Sequence, residues 1–196
     1  MKRLPSFLLT ALVLAAGWFV LQQGQQSGWK GLSIPGLTGA TSTQPPPPRG
    51  NDTIRVATFN IQVFGEAKPN DPEALRIIVA ILKNFDLIAI QEVRAVSQDI
   101  LPQLLTRLNA DGRYYDYAIG PRLGRSNSRE QYAFVFDTQT IEIDRYKLYT
   151  VDDPDDLLHR EPLVGWFRAR GPSPEQAFTF SLATIHTDPD EVGSVL

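Results

Sequence analysis

Residues 86–92 read Asp-Leu-Ile-Ala-Ile-Gln-Glu, a short continuous apolar run that ends in polar side chains. A strand with one face in water alternates apolar and polar residues. An unbroken run of this length suits a strand covered on both faces. The chain around it has to supply a layer on each side, which predicts a layered α/β fold. Helix signals lie before and after the run. Asp71-Pro72 offers an N-cap followed by proline at the first helical position. Leu75, Ile78, Val79 and Leu82 then fall on one helical face. Ser97 to Asn109 is a second amphipathic stretch, with Ile100, Leu101, Leu104, Leu105 and Leu108 turned inward. Pro102 fits that helix only in its first turn.

Outside these helices the folded part reads as strands. Thr53–Asn60 is β-branched and partly alternating. After Asp111-Gly112 extended segments follow one another: Tyr115–Ile119, Gln131–Phe136, Thr140–Tyr149, Pro162–Ala169 and Ala177–Ile185. The order strand–helix–strand–helix and then a run of strands predicts a two-layer or sandwich α+β domain over residues 53–196.

The first fifty-two residues are of another kind. Lys2 and Arg3 precede an uncharged stretch from Leu4 to Leu21, whose apolar heart is Phe7 to Leu21. A basic start and an apolar run mark a signal peptide or an N-terminal membrane anchor. No clean small-x-small cleavage site follows the run, which favours the anchor. The expectation for residues 1–21 is therefore export, secreted or held at the membrane. Residues 22–52 are rich in Gln, Gly and Pro, with Pro45–Pro48 at the end, and read as a linker.

Of the 196 residues none is cysteine, which excludes a disulfide scaffold, a Cys-ligated metal site and a cysteine nucleophile. Residues 53–196 carry 15 Lys+Arg and 21 Asp+Glu, a net charge of −6. A domain of that charge binds nucleic acid through a local site, with a divalent cation or a few arginines. A shallow salt dependence of binding is expected.

Four polar residues stand at expected strand ends: Asn60, Glu92, Glu130 and His186. Taken singly, an Asn there is a turn residue, a Glu is solvated, and one of only two histidines is structural. Taken together, an Asn, two carboxylates and a His suit a hard divalent cation beside an acid–base group. Mg²⁺ takes one or two carboxylates and keeps several waters. A histidine next to a carboxylate is held in one tautomer. This equipment suits phosphodiester hydrolysis.

RVATFNIQVFGE (residues 55–66) and DLIAIQEVR (86–94) resemble the first two motifs of the endonuclease/exonuclease/phosphatase superfamily. GRSNSREQYAFVF (124–136), REP (160–162) and FSLATIHTDPDEV (180–192) are similar to segments of its deoxyribonuclease I branch. The resemblance implies an α/β (α+β) four-layer sandwich of the deoxyribonuclease I type and a Mg²⁺-dependent endonuclease acting on DNA, with Ca²⁺ or Mn²⁺ as other cations. It implies that Glu92 binds the metal and that Asn60 orients the scissile phosphate or the metal's water. His186 would be the catalytic histidine, Glu130 its carboxylate partner, and Arg94 and Arg160 contacts to DNA. Two departures stand out. Ser128 occupies the place of a tyrosine that contacts the minor groove, so affinity or cleavage preference is expected to differ. No GDFN-like or closing Asp-His segment follows His186. The domain is thus expected to match the first half of the sandwich, with little hydrolysis by these residues alone. The competing expectations are a lipid or small-molecule phosphodiesterase or phosphatase of the same superfamily, and a catalytically inactive fragment.

Overall fold

The computed structural model describes residues 53–65, 71–125 and 129–187. The expected leader and linker, residues 1–52, and Ser128 lie outside the described residues. Among the described residues nine elements follow in chain order: β1 (Val56–Phe64), α1 (Pro72–Leu82), β2 (Leu87–Val93), α2 (Ile100–Leu108), β3 (Tyr115–Ile119), β4 (Gln131–Asp137), β5 (Ile141–Thr150), β6 (Leu163–Ala169) and β7 (Thr179–Thr184).

Helix α1 starts as its sequence dictates. The Asp71 side chain accepts hydrogen bonds from the N–H groups of Glu73 and Ala74, and Pro72 follows. Leu75, Ile78, Val79 and Leu82 are its buried residues. In α2 the buried set is Ile100, Leu101, Leu104 and Leu108. This helix begins three residues later than Ser97, so Pro102 does fall in its first turn, where its missing N–H costs no helical bond. Asp99 precedes it without a side-chain capping bond to the helix N–H groups, its carboxylate accepting from Ser97 and Gln103 instead.

The strands form two sheets, ordered β1-β2-β4-β3 and β5-β6-β7. β1 and β2 are parallel, which needs a crossover, and α1 supplies it. All other pairs are antiparallel. Both described helices pack on one face of the first sheet, against Ile88, Ile90, Ala133 and Val135. A second core lies between the sheets, where Leu87, Ala89, Tyr132, Phe134 and Phe136 meet Ile141, Leu163 and Phe167. Every residue of β2 and β4 is buried, as the continuous apolar run of β2 requires. The described residues thus supply three layers, helix, sheet and sheet, of the expected α/β sandwich. In β6, Gly165 stands close to Phe134 of the first sheet. A Cβ there would stand 2.8 Å from Phe167 Cζ and 3.1 Å from Phe134 Cε2.

β1 and β2 depart from regular pairing at the same end. The β1–β2 register shifts between Asn60 and Phe64, and the β2–β4 register shifts between Ile90 and Val93. Asn60 was expected to end the first strand, but β1 continues to Phe64 through this irregularity. Glu92 likewise lies inside β2, one residue before its end. Gln62, Val63 and Glu92 all have positive φ, at 47°, 54° and 61°. Left-handed backbone is costly for residues with a Cβ, most of all for β-branched valine. The shift also re-aims side chains: Val93 joins the helix-side core with Ile88 and Ile90, although regular alternation would send it to the other face.

Candidate active site

The topology brings four chain segments to one end of the space between the sheets. They are the C-terminal ends of the parallel pair β1 and β2, the start of their antiparallel neighbour β4, and the C-terminal end of β7. Asn60, Glu92, Glu130 and His186 sit at these positions. They meet in three dimensions.

Glu92 is held on both oxygens. Asn60 Nδ2 donates to Oε1 at 2.8 Å, and the Val63 N–H donates to Oε2 at 2.7 Å. The left-handed backbone at Gln62 and Val63 is what turns that N–H towards the carboxylate. Asn60 is fixed in turn, because its Oδ1 accepts from the Gln62 N–H at 2.7 Å. Burial works against ionisation of Glu92. The hydrogen bonds from Asn60 and Val63, helped by the neighbouring His186 and Arg94, outweigh it and hold the carboxyl below the ordinary glutamate range.

His186 lies two residues beyond the end of β7. Its Nδ1 is 2.6 Å from Glu130 Oε1. An ionised carboxylate can only accept, so Nδ1 carries the proton and Nε2 is the nitrogen left for chemistry. Nε2 faces the other pair, 3.4 Å from Asn60 Nδ2 and 3.6 Å from Glu92 Oε1. The imidazole therefore spans the two carboxylates, with its orientation set by Glu130.

Glu130 has no exposed surface, and a buried carboxylate needs compensating charge. Arg94 Nε lies 3.3 Å from its Oε2 and Arg160 Nε 3.1 Å from its Oε1. Arg94 is also 3.8 Å from Glu92 Oε2, so its guanidinium stands between the two acids, about a third exposed. Arg160 is buried, and its Nη1 donates to the His186 carbonyl at 3.1 Å. The two arginines expected at DNA thus differ in place. Arg94 reaches the surface beside Glu92, and Arg160 lies behind the histidine.

Three further residues hold this assembly. Gln91, buried beside Glu92, donates from Nε2 to Thr58 Oγ1 at 2.9 Å and to Thr184 Oγ1 at 2.6 Å. One amide thereby ties β1, β2 and β7 next to the residues that carry Asn60, Glu92 and His186. Arg122 donates to the carbonyls of Arg94, Ala95 and Arg129, which fixes the backbone on either side of the arginine–Glu130 pair. Tyr132 is buried, and burial pushes its hydroxyl pKa up to about 12, so it stays protonated. Sequence reasoning singled out none of the three. Strand parity gives one signal: Tyr132 of β4 lies two residues after Glu130, which immediately precedes the strand.

A divalent cation fits Glu92 and the Asn60 amide oxygen. Each Glu92 oxygen accepts a hydrogen bond from the chain and has a second lone pair to offer. No group of three or more His, Cys, Asp or Glu among the described residues is arranged around a metal position. Glu92 and Asn60 offer oxygen donors, which suit a hard divalent cation with water among its other ligands.

The sequence matches the model of the Endonuclease/Exonuclease/phosphatase family over residues 57–184. Mouse (Mus musculus) deoxyribonuclease gamma is 38% identical over 143 residues, which are 70% of this chain and 45% of the mouse protein. Horse (Equus caballus) deoxyribonuclease-1 is 34% identical over 144 residues, 71% of this chain and 50% of the horse protein. The chain spans about half the length of these curated relatives. Among solved structures, an endonuclease/exonuclease/phosphatase family protein from Bacteroides thetaiotaomicron aligns with a TM-score of 0.43 at 16% identity, covering 65% of this chain and 48% of that one.

Proposed function

The chain belongs to the Endonuclease/Exonuclease/phosphatase family, and from that membership we propose that it is part of a Mg²⁺-dependent endonuclease of the deoxyribonuclease I type, acting on DNA. One observation carries the reading: His186 stands between two carboxylates, protonated at Nδ1 by its bond to Glu130 and presenting Nε2 beside Glu92 and Asn60. Hydrolysis of a phosphodiester needs a group that takes a proton from the attacking water, and Nε2 is placed for that. It also needs positive charge at the phosphoryl oxygens. A Mg²⁺ ion on Glu92 would supply part of that charge. Arg94, partly exposed next to Glu92, supplies a planar guanidinium for a non-bridging oxygen. Arg160 acts from behind, through Glu130 and the His186 carbonyl. The deoxyribonuclease names of the curated relatives support DNA as the substrate.

The test is nicking of supercoiled plasmid by the polypeptide at its encoded length, beside a panel of lipid and small phosphate esters. The expected result is nicking with Mg²⁺, loss of nicking on chelation, and graded activity with Mn²⁺ or Ca²⁺. His186→Ala should lower the rate by about 10²–10⁴-fold, the usual worth of a positioned acid–base group, and Glu92→Ala should abolish most activity by removing the carboxylate that would hold the cation. Hydrolysis of the esters without DNA cleavage would overturn the substrate assignment.

The basic start and apolar run of residues 1–21 support export, with the segment tethering the domain to the membrane. A reporter that is active only outside the cytoplasm, fused after residue 52, checks this; an inactive reporter refutes it.

A further inference from the structure

His186 leaves β7 before the chemistry begins. The last paired residue of β7 is Thr184, matched with Leu163, so no ladder holds the backbone at position 186. A catalytic imidazole on an untethered backbone would wander even with its ring bonded to Glu130. Position 186 has its own anchors instead. The His186 N–H donates to Tyr132 Oη at 2.9 Å, and the same hydroxyl lies 3.4 Å from the His186 carbonyl. Arg160 Nη1 donates to that carbonyl as well.

Strand parity explains why Tyr132 of β4 and Glu130, just before that strand, both reach His186. The strand's residues 132, 134 and 136 face the space between the sheets, and there Phe134 and Phe136 pack in the core. Tyr132 shares their face and is equally buried. Its ring fills the same row as theirs. Only its hydroxyl sets it apart, and that hydroxyl is spent on His186. Glu130, one step earlier on the same face, holds the ring.

We propose that Tyr132 is a positioning residue for the reaction: Glu130 orients the His186 imidazole, and Tyr132 fixes the backbone from which it springs. The assignment of His186 as the proton-accepting group rests on the function proposed above. The anchoring of His186 by Tyr132 stands on the geometry alone. A hydrogen bond to the backbone contributes modestly to stability but sets where Nε2 lies relative to Glu92, and a small displacement of a reacting group is costly to rate.

Tyr132→Phe removes one oxygen and keeps the ring that fills the core. The expected result is a kcat lowered about fivefold with KM unchanged, the pattern of a group that acts on the reaction rather than on binding. Tyr146→Phe, at a fully exposed ring on β5, serves as the control and should leave both constants as they are. The second readout does not depend on activity. The chain has two histidines, so ¹⁵N-histidine NMR resolves them, with His186→Asn for assignment. In Tyr132→Phe the ring nitrogens of His186 should shift and broaden while the unfolding midpoint stays within a few degrees of the parent. If the unsubstituted protein cuts no DNA, the function proposal fails and the NMR result decides this one. Unmoved His186 signals with an unchanged kcat overturn the anchoring role, as does a lowered midpoint with both unchanged. Should the Phe variant fail to fold, a fluorinated tyrosine at position 132 keeps the shape and alters only the hydroxyl. It should still displace the His186 signals, and unmoved signals overturn the role.

Discussion

At the scale of single residues, Glu92 joins strain, charge and chemistry in one place. Its backbone is left-handed, its two oxygens are each held by a donor from β1, and its carboxyl is kept below the ordinary glutamate range. A carboxyl whose folded pKa lies below its unfolded one stabilises the fold above the unfolded value, about 4.3. That contribution is lost as pH falls through the depressed folded value. Without added metal, Glu92→Gln should therefore be less stable than the parent near neutral pH. The gap should close below pH 4, measured by denaturant unfolding at both pH values. A gap that does not change with pH would remove the charge from the explanation. Asn60, Glu92, Glu130 and His186 were legible in the sequence because each is a polar residue at the edge of an apolar or extended run. Their partners were less so. Tyr132 reads as one more aromatic of a core strand, and Gln91 as one more polar residue at a strand end, until the fold shows what each reaches.

At the scale of elements, most boundaries followed from local signals. Asp71-Pro72 starts α1 because a carboxylate oxygen satisfies two N–H groups that the helix itself leaves open. Replacing Asp71 by alanine should cost about 1 kcal/mol, read from the shift in denaturant midpoint, because its exposed side chain caps the first turn. β3 spans the residues its pattern predicts, and β4 runs one residue past its expected end. The failures cluster at the site. β1 outruns Asn60 by four residues, and β2 carries Glu92 inside rather than at its end. Periodicity assumes regular backbone, and these strands become irregular where the side chains must converge. Left-handed Gln62 and Val63 have no signature in composition, since neither is glycine or asparagine. The hydrogen bonds from Gln62 to Asn60 and from Val63 to Glu92 go with the conformation.

At the scale of the whole molecule, the two sheets must keep register with each other, since Asn60, Glu92 and Glu130 belong to one and His186 follows the last strand of the other. Apolar contact between sheets is non-directional and fixes register weakly. The Gln91 amide, bonded to threonines of β1 and β7, is directional. Gln91→Leu should lower stability by about 1–3 kcal/mol, the cost of leaving a buried Thr184 hydroxyl unsatisfied. It should also speed hydrogen exchange along β7 more than along β3; equal protection in both strands would deny Gln91 this role. The sequence by itself determined the layered class, because an unbroken apolar strand needs cover on both faces. It also determined which residue types could do chemistry, because polar groups at the ends of such strands must be solvated or used. The tertiary structure decided how they are used. It set Arg94 between two acids, Arg160 behind the histidine, and Tyr132 and Gln91 as anchors, because those roles depend on contacts between residues up to 93 positions apart, which local patterning does not encode.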